Sequence, residues 1–325
     1  MKLLVTGSSG HLGEALVRVL RDRGDEVVGL DVLQSSYTAI VGSVADRELV
    51  RRAVAGVDAV VHAATLHKPH VDSHSCSEFV ETNITGMLNL LEEAVEAGVA
   101  RFVFTSTTSA FGRALTPDGH APAAWITEEV PPLPRNIYGA TKRAAEDLCE
   151  LTSRDHGLPI VILRTSRFFP EADDSDAARA TYDDLNLKVN ELLYRRVDLE
   201  DVVGAHLMAL ERADALRFAR YIISATTPFR RDQVDLLRAD LPSVVAELFP
   251  DYEEIYGARG WSMLPGLDRV YDNSLAVREL GFSPRYDFRY ALERLVAGED
   301  PRSPLAREVG AKGYHAETTG VYTTR

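Results

Sequence analysis

The first twenty residues constrain this chain more than any other stretch. Leu3-Leu4-Val5 is a short apolar run ending at Thr6, with the length and composition of a strand buried on both faces. It runs into Gly7-Ser8-Ser9-Gly10-His11-Leu12-Gly13, then into Glu14-Ala15-Leu16-Val17-Arg18-Val19-Leu20, whose apolar residues recur at helical spacing. Glycines let a backbone approach a ligand closely, and a helix amino terminus offers unpaired N–H groups and the positive end of its dipole. Strand, glycine loop and helix together make a seat for a pyrophosphate. The spacing is Gly-x-x-Gly-x-x-Gly rather than Gly-x-Gly-x-x-Gly, and a purely structural tight turn is the competing reading.

A second strand, Glu26-Val27-Val28-Gly29-Leu30, ends at Asp31. A carboxylate there accepts hydrogen bonds from adenosine ribose hydroxyls and repels a 2′-phosphate, which favours NAD over NADP. No arginine follows in Val32-Leu33-Gln34-Ser35-Ser36, in keeping with that choice. The alternative is an aspartate that only caps a loop. Further strands are expected at 58–62, 101–104, 159–164 and 220–224. Helices are expected at 47–55, capped by Asp46, and at 78–96, with Leu88, Leu91 and Val95 on one side; others at 203–212 and 232–240 complete the pattern. Strands alternating with helices of this length imply an α/β fold, a doubly wound parallel sheet of Rossmann type. We assign residues 1–165 to an NAD-binding core and 166–325 mainly to a smaller carboxyl-terminal substrate-binding region, with late core elements near 197–225. Residues 248–267 read as an irregular lid or wall, Glu171 to Asp176 as a solvated acidic loop, and the tail from Gly310 as aperiodic and partly disordered.

Chemistry enters at Asn136-Ile137-Tyr138-Gly139-Ala140-Thr141-Lys142. Tyr138 and Lys142 are four apart in helix-forming sequence, so both side chains lie on one face. A tyrosine of ordinary pKa near about 10 is a poor base at neutral pH. An ammonium beside it favours the phenolate and brings it toward working range. With the hydroxyls of Thr105-Ser106-Thr107 nearby, this is a device for moving a proton on or off a carbinol oxygen.

A net charge of −13 argues against nucleic-acid binding and against anionic membrane surfaces. Two cysteines give no disulfide framework, which suits a reducing compartment. The start is too short for a signal segment and no stretch has the length of a membrane span, so a cytoplasmic protein is expected. His67, His70, His74 and Cys76 are the one cluster with metal-ligand chemistry. Pro69 interrupts any helix there and no second strong-ligand group is near in sequence, so no metal is expected.

The matching pieces are Val5 to Gly13, Asp31, Val61-His62-Ala63-Ala64, Asn83-Ile84-Thr85-Gly86, Phe102 to Gly112 and Tyr138-Gly139-Ala140-Thr141-Lys142. On these, and on Val197 to Val202 followed by Ala205-His206, the chain resembles the extended short-chain dehydrogenase/reductases, in their NAD-dependent epimerase/dehydratase branch. That resemblance covers most of residues 1–225. It implies NAD held by Gly7, Ser9, Gly10, His11, Leu12, Asp31, Ser43, Val44, Ala63, Ala64, Thr65, Asn83, Thr105 and Thr165, with Tyr138 and Lys142 at the nicotinamide ribose. It makes Tyr138 the acid/base, Lys142 its tuning partner and Thr107 the catalytic hydroxyl, with Ser106 as the other candidate. Substrate contacts are expected from His67, Thr108, Arg167 and Lys188, and a homodimer is expected through the helices near 78–96 and 138–151.

The departures from that family bear on substrate. Ser43 stands where an aspartate near adenine is usual. Thr108-Ser109 follows Thr107 where sugar-nucleotide dehydratases carry Asp-Glu, which points away from 4,6-dehydration. Arg167 occupies the place of a frequent asparagine, and the stretch from Pro170 to Val197 is shorter than the family's nucleotide-gripping insertion. Both argue against a UDP- or dTDP-sugar. The expected activity is hydride transfer at a carbinol carbon of a sugar or sugar-derived small molecule. Three outcomes stay open: an epimerase, a dehydrogenase of a sugar, sugar acid or other polar alcohol that releases NADH, or a non-catalytic dinucleotide sensor. An NADPH-dependent ketoreductase is disfavoured by Asp31.

Overall fold

The structure, a computed structural model, describes residues 1–119, 121–173 and 175–312. The aperiodic tail with Gly313-Tyr314-His315, and Asp174 of the acidic run, lie outside the described residues. Among the described residues nine strands form: β1 (Lys2–Thr6), β2 (Glu26–Asp31), β3 (Ile40–Val41), β4 (Ala59–His62), β5 (Arg101–Thr107), β6 (Ala124–Ile126), β7 (Ile160–Thr165), β8 (Phe218–Ile223) and β9 (Arg269–Tyr271). Seven of them make one sheet in the order β3-β2-β1-β4-β5-β7-β8, with every pair parallel.

Successive side chains on a strand point to opposite faces, and here both faces are apolar. Leu3, Val5, Val61, Val103, Val161 and Leu163 pack with the helices His11–Asp22 and Leu199–Leu216. Their neighbours Leu4, Val60, Phe102, Phe104, Ile160 and Ile162 pack with Arg47–Val54, Gly86–Glu96 and Ile137–His156. This is the doubly wound arrangement. The chain winds away from β1 in both directions, toward β2 and toward β4, so the crevice for a ligand opens beyond the carboxyl ends of β1 and β4.

The helix expected at 78–96 begins at Cys76 and is not regular. A capping box between Ser75 and Glu78 starts it, a π turn at Glu81–Thr85 interrupts it, and Gly86–Glu96 completes it. Its inward stripe is Met87, Leu90, Leu91 and Ala94, at the i, i+3, i+4, i+7 spacing of one face. Leu88 is therefore not on the buried side; it stands exposed with Val80, as does Leu151 on Ile137–His156.

A separate apolar cluster organises the carboxyl-terminal region, and Tyr252, Ile255, Tyr256, Phe288 and Leu292 belong to it. Residues 248–267 are thus not an irregular wall throughout, because Tyr252–Gly257 is helical with its aromatic face in that cluster. The chain also crosses the border after residue 165 in both directions. Strand β6 pairs with β9, whereas Ala276, Leu280, Phe282 and Val309 pack against the large sheet. Among the described residues no helix is long and apolar enough to cross a membrane.

One buried ion pair ties the centre of the sheet to the helix that carries Tyr138. Glu146, 0% exposed, accepts from Ser106 Oγ of β5 at 2.5 Å and from Arg164 of β7 at 3.0 and 2.6 Å. Removing one partner of such a pair leaves the other charge buried and uncompensated. Glu146→Ala is expected to cost roughly 3–5 kcal/mol of stability, read as a lower urea midpoint with little change in slope. An unchanged midpoint would mean that the pair does not brace the sheet.

Candidate active site

The crevice at the sheet's switch point is a cleft of about 410 Å³. The glycine loop forms its floor. Gly7 takes the left-handed φ of +73°, and a Cβ there would lie 2.7 Å from Ala64 N at the end of β4. At Gly13 a Cβ would lie 1.9 Å from Gly7 O, so the loop folds onto the first turn of the helix with no room for side chains. No side chain caps that helix at Gly10, which leaves its first N–H groups to the cleft. Asp31 accepts from Ser9 N at 2.9 Å and Leu33 N at 2.8 Å. Burial pushes its carboxyl up from the ordinary range, and these backbone donors pull it back. Each oxygen keeps a further lone pair for a ribose hydroxyl. An uncapped helix start, a side-chain-free cradle and an acceptor-only carboxylate suit the pyrophosphate and adenosine ribose of a dinucleotide.

Gly7, Ser9, Gly10, His11, Leu12, Asp31, Ser43, Val44, Ala63, Ala64, Thr65, Thr105, Tyr138, Lys142 and Thr165 all line this cleft. Asn83 does not line it. The π turn buries its amide behind the cleft wall, where Oδ1 accepts from Thr65 Oγ1 at 3.0 Å and Leu66 N at 2.9 Å. Its Nδ2 donates to Leu66 O at 2.9 Å and Thr141 Oγ1 at 3.0 Å. Asn83 holds the loop after β4 against the helix of Tyr138 and contacts no cleft space.

Asn136 caps that helix, accepting from Gly139 N at 3.0 Å, and so fixes where Tyr138 and Lys142 emerge. Thr107 is the polar side chain that acts on the Tyr138 phenol, and its Oγ1 accepts from Ser109 N at 3.0 Å. Ser106, the other candidate, directs its hydroxyl to the helix Ile137–His156, where it donates to Glu146. Lys142 is 2% exposed, donates from Nζ to Thr105 O at 2.6 Å and sits 4.1 Å from the centre of the Phe104 ring. The expected tuning of Tyr138 by Lys142 is not what this geometry produces. Burial pushes the phenol up to about 12, the Thr107 side chain acts against that, and Lys142 donates to the Thr105 carbonyl. Tyr138 is thereby held as a phenol, which takes up a proton only after its own has left.

A second pocket of about 250 Å³ adjoins the cleft, and Tyr138, Thr165, His67, Phe168 and Phe169 line both. Phe168 and Phe169 pack 4.4 Å apart, and His67 lies 5.5 Å from Phe169, forming a partition that the sequence reading missed. His67, Thr108 and Arg167 face this pocket as expected. Lys188 does not; it bonds Pro170 O and pairs with Asp184 beside a smaller neighbouring cavity. Lys68, Arg135, Arg195 and Arg269 also line the pocket, and none of them is among the substrate contacts expected from the sequence. The acidic run is not simply solvated. Glu171 is buried 2.8 Å from His11 Nε2, and Asp173 pairs with Arg167, because each meets a counter-charge inside the fold. Among the described residues no group of three or more His, Cys, Asp or Glu side chains is placed to hold a metal ion. His67, His70 and His74 follow one another along the cleft mouth with ring centres 4.7 and 5.1 Å apart, the first pair tilted and the second edge to face.

Comparison with known proteins decides the family. The pattern defining the NAD dependent epimerase/dehydratase family matches residues 3–223, about two thirds of the chain. The chain belongs to that family. A low-salt glycan biosynthesis protein, Agl12 of Haloferax volcanii, is 36% identical over 186 residues, covering 52% of this chain and 57% of the relative. The dTDP-glucose 4,6-dehydratase of Streptomyces niveus is 36% identical over 193 residues, covering 52% and 55%. The chain thus matches little more than half the length of either. A short-chain dehydrogenase/reductase superfamily protein from Agrobacterium tumefaciens, solved with bound NAD, superposes with a TM-score of 0.67 at 24% identity, over 95% of this chain and 99% of the other. That likeness bears on the fold. As an NAD-dependent family member this protein is an enzyme with NAD as cofactor, and the residues of the larger cleft fit it.

Lys142 gives this family member a testable pH signature. Burial lowers its pKa from an ordinary 10.5 to about 7, with Glu146 acting against that. Between those values the unfolded chain binds more protons than the folded one, so stability rises with pH there and the lysine's cost is largest below about 7. Lys142→Met is therefore expected to raise the urea midpoint more near about pH 6 than near about pH 10. An equal effect at both would contradict the buried site.

Proposed function

We propose that this protein oxidises a carbinol carbon of a sugar or sugar-derived substrate with Tyr138 as the proton-transfer group, and that it is an epimerase. The carrying observation is that Tyr138 lines both pockets where they meet, with Thr107 beside it in the smaller one. A substrate in the smaller pocket is within reach of that pair on one side and of the cofactor cleft on the other. When bound, NAD supplies the two-electron acceptor, taking the carbon's hydrogen with both bonding electrons while the hydroxyl proton goes to the protein. Thr107 orients the substrate oxygen by hydrogen bonding, and Tyr138, once its phenol proton has left to solvent, accepts the hydroxyl proton at that oxygen and returns it when the hydrogen comes back. Lys142 holds its ammonium at the Thr105 carbonyl, one residue from Ser106 and two from Thr107, which fixes the strand end they share.

An epimerase returns the hydrogen to the opposite face of the carbon and shows no net NADH. A dehydrogenase that releases NADH uses the same residues and is the second reading. The positions after Thr107 supply hydroxyls, Thr108 and Ser109, and not the acid and base that dehydration needs. A sensor without chemistry has no use for a phenol and a buried lysine at the junction of two pockets.

The test is a panel of sugars, sugar acids, sugar phosphates and nucleotide sugars, followed by NADH absorbance and by product analysis for silent epimerisation. Tyr138→Phe is expected to lower kcat by about 10²–10⁴-fold while NAD binding, measured by calorimetry, is retained. Undiminished turnover in that variant would remove Tyr138 from the chemistry.

A further inference from the structure

The wall of the smaller pocket runs against the charge of the whole molecule. The chain carries a net −13, yet Lys68, Arg135, Arg167, Arg195 and Arg269 converge on one pocket of about 250 Å³ from five separate segments. Like charges gathered in this way repel one another, and the cost is visible at Lys68. Its ammonium is pushed down by burial first, then by Arg167, Arg195 and Arg269. Part of the cluster is neutralised inside the fold. Arg167 and Arg195 share the buried carboxylates of Glu191 and Asp173. Among the described residues no carboxylate pairs with Arg135 or Arg269, and Arg269 Nη1 donates to Leu115 O at 3.5 Å. Ser166 lines the same pocket at 3% exposure, and its hydroxyl has no hydrogen-bond partner there. A cationic surplus and an unused buried donor on one wall are the complement of an anion's oxygens.

Size narrows the class. The volume lies below the roughly 300–1,000 Å³ usual for sites of drug-sized ligands, whereas a nucleotide sugar adds a base, a ribose and two phosphates to its hexose. Resting on the oxidoreductase reading above, we propose that the substrate is an anionic monosaccharide, bearing a carboxylate or a phosphate and no nucleotide. Its charged end is held by Arg135, Arg269 and Ser166 beside the Arg167–Arg195 pair, and its carbinol carbon lies toward Tyr138.

Calorimetric titration of the full-length protein with NAD present tests this, using glucuronate, galacturonate, glucose 6-phosphate, glucose and UDP-glucose. The expected result is that a uronate or the sugar phosphate binds at least about tenfold more tightly than glucose and than UDP-glucose, the two anion arms telling carboxylate from phosphate. Arg135→Ala and Arg269→Ala are each expected to weaken that binding by roughly 10- to 100-fold. Arg135 is exposed, so its variant tests the site without risk to the fold. Tighter binding of UDP-glucose, equal binding of glucose, or unchanged affinity in both variants would overturn the proposal. Anion binding with neither NADH nor epimerised product formed would support the anion site and sink the redox reading instead. Turnover of UDP-glucose, seen as NADH or as its epimer, with no binding of the small anions, would do the reverse.

Discussion

Everything at the cleft depends on how strand β5 ends, and Glu146 decides that. Along Thr105-Ser106-Thr107 the side chains alternate, so only one hydroxyl in two can face a given layer. Ser106 is drawn to Glu146 by a charge-assisted hydrogen bond, and Arg164 completes the carboxylate's shell from the neighbouring strand. Thr105 then faces the opposite layer, where its Oγ1 lies 2.8 Å from His206 Nε2. His206 Nδ1 lies 2.8 Å from Val202 O, a pure acceptor, so Nδ1 carries the proton and Thr105 donates to Nε2. Burial keeps that imidazole neutral by lowering its pKa to about 4. With Ser106 and Thr105 both committed, Thr107, the last residue of the strand, is the one of the three that lines the smaller pocket with Tyr138, and the Thr105 carbonyl accepts from Lys142.

What the sequence disclosed follows from the range of each determinant. The apolar run before Gly7, the glycine spacing, Asp31 at a strand end and the four-residue step from Tyr138 to Lys142 are local, and each fixes a local geometry. A parallel sheet follows from their alternation. The choice between Thr107 and Ser106 could not be made locally, because it turns on Glu146 and Arg164, forty and fifty-eight residues beyond Ser106. Asn83 is a cofactor contact by resemblance alone; a π turn, which no periodicity reveals, turns it toward Leu66 and Thr141. Lys188 was placed in the pocket by its charge, but its helix directs it to Pro170 and Asp184. The pairing of β6 with β9 joins segments more than 140 residues apart, a contact that only the assembled fold defines.

The same distinction separates the chemistry of the site from its specificity. Proton transfer needs a few groups that one helix and one strand end can supply, so it is written compactly in the chain. The cationic wall needs Lys68, Arg135, Arg167, Arg195 and Arg269, each delivered by a different segment, and none informative alone. Assembling it requires a device that keeps arginines close together, and Glu191 is that device. It is 0% exposed and meets Arg167, Arg195 and Arg196 at 3.2, 2.6 and 2.7 Å, and those guanidinium groups hold its carboxyl far below the ordinary range against the pull of burial. One buried negative charge thereby fixes three positive ones and leaves a surplus facing the pocket. An acidic protein can in this way present an anion-seeking wall, because the potential inside a low-dielectric pocket is set by its nearest charges and not by the total.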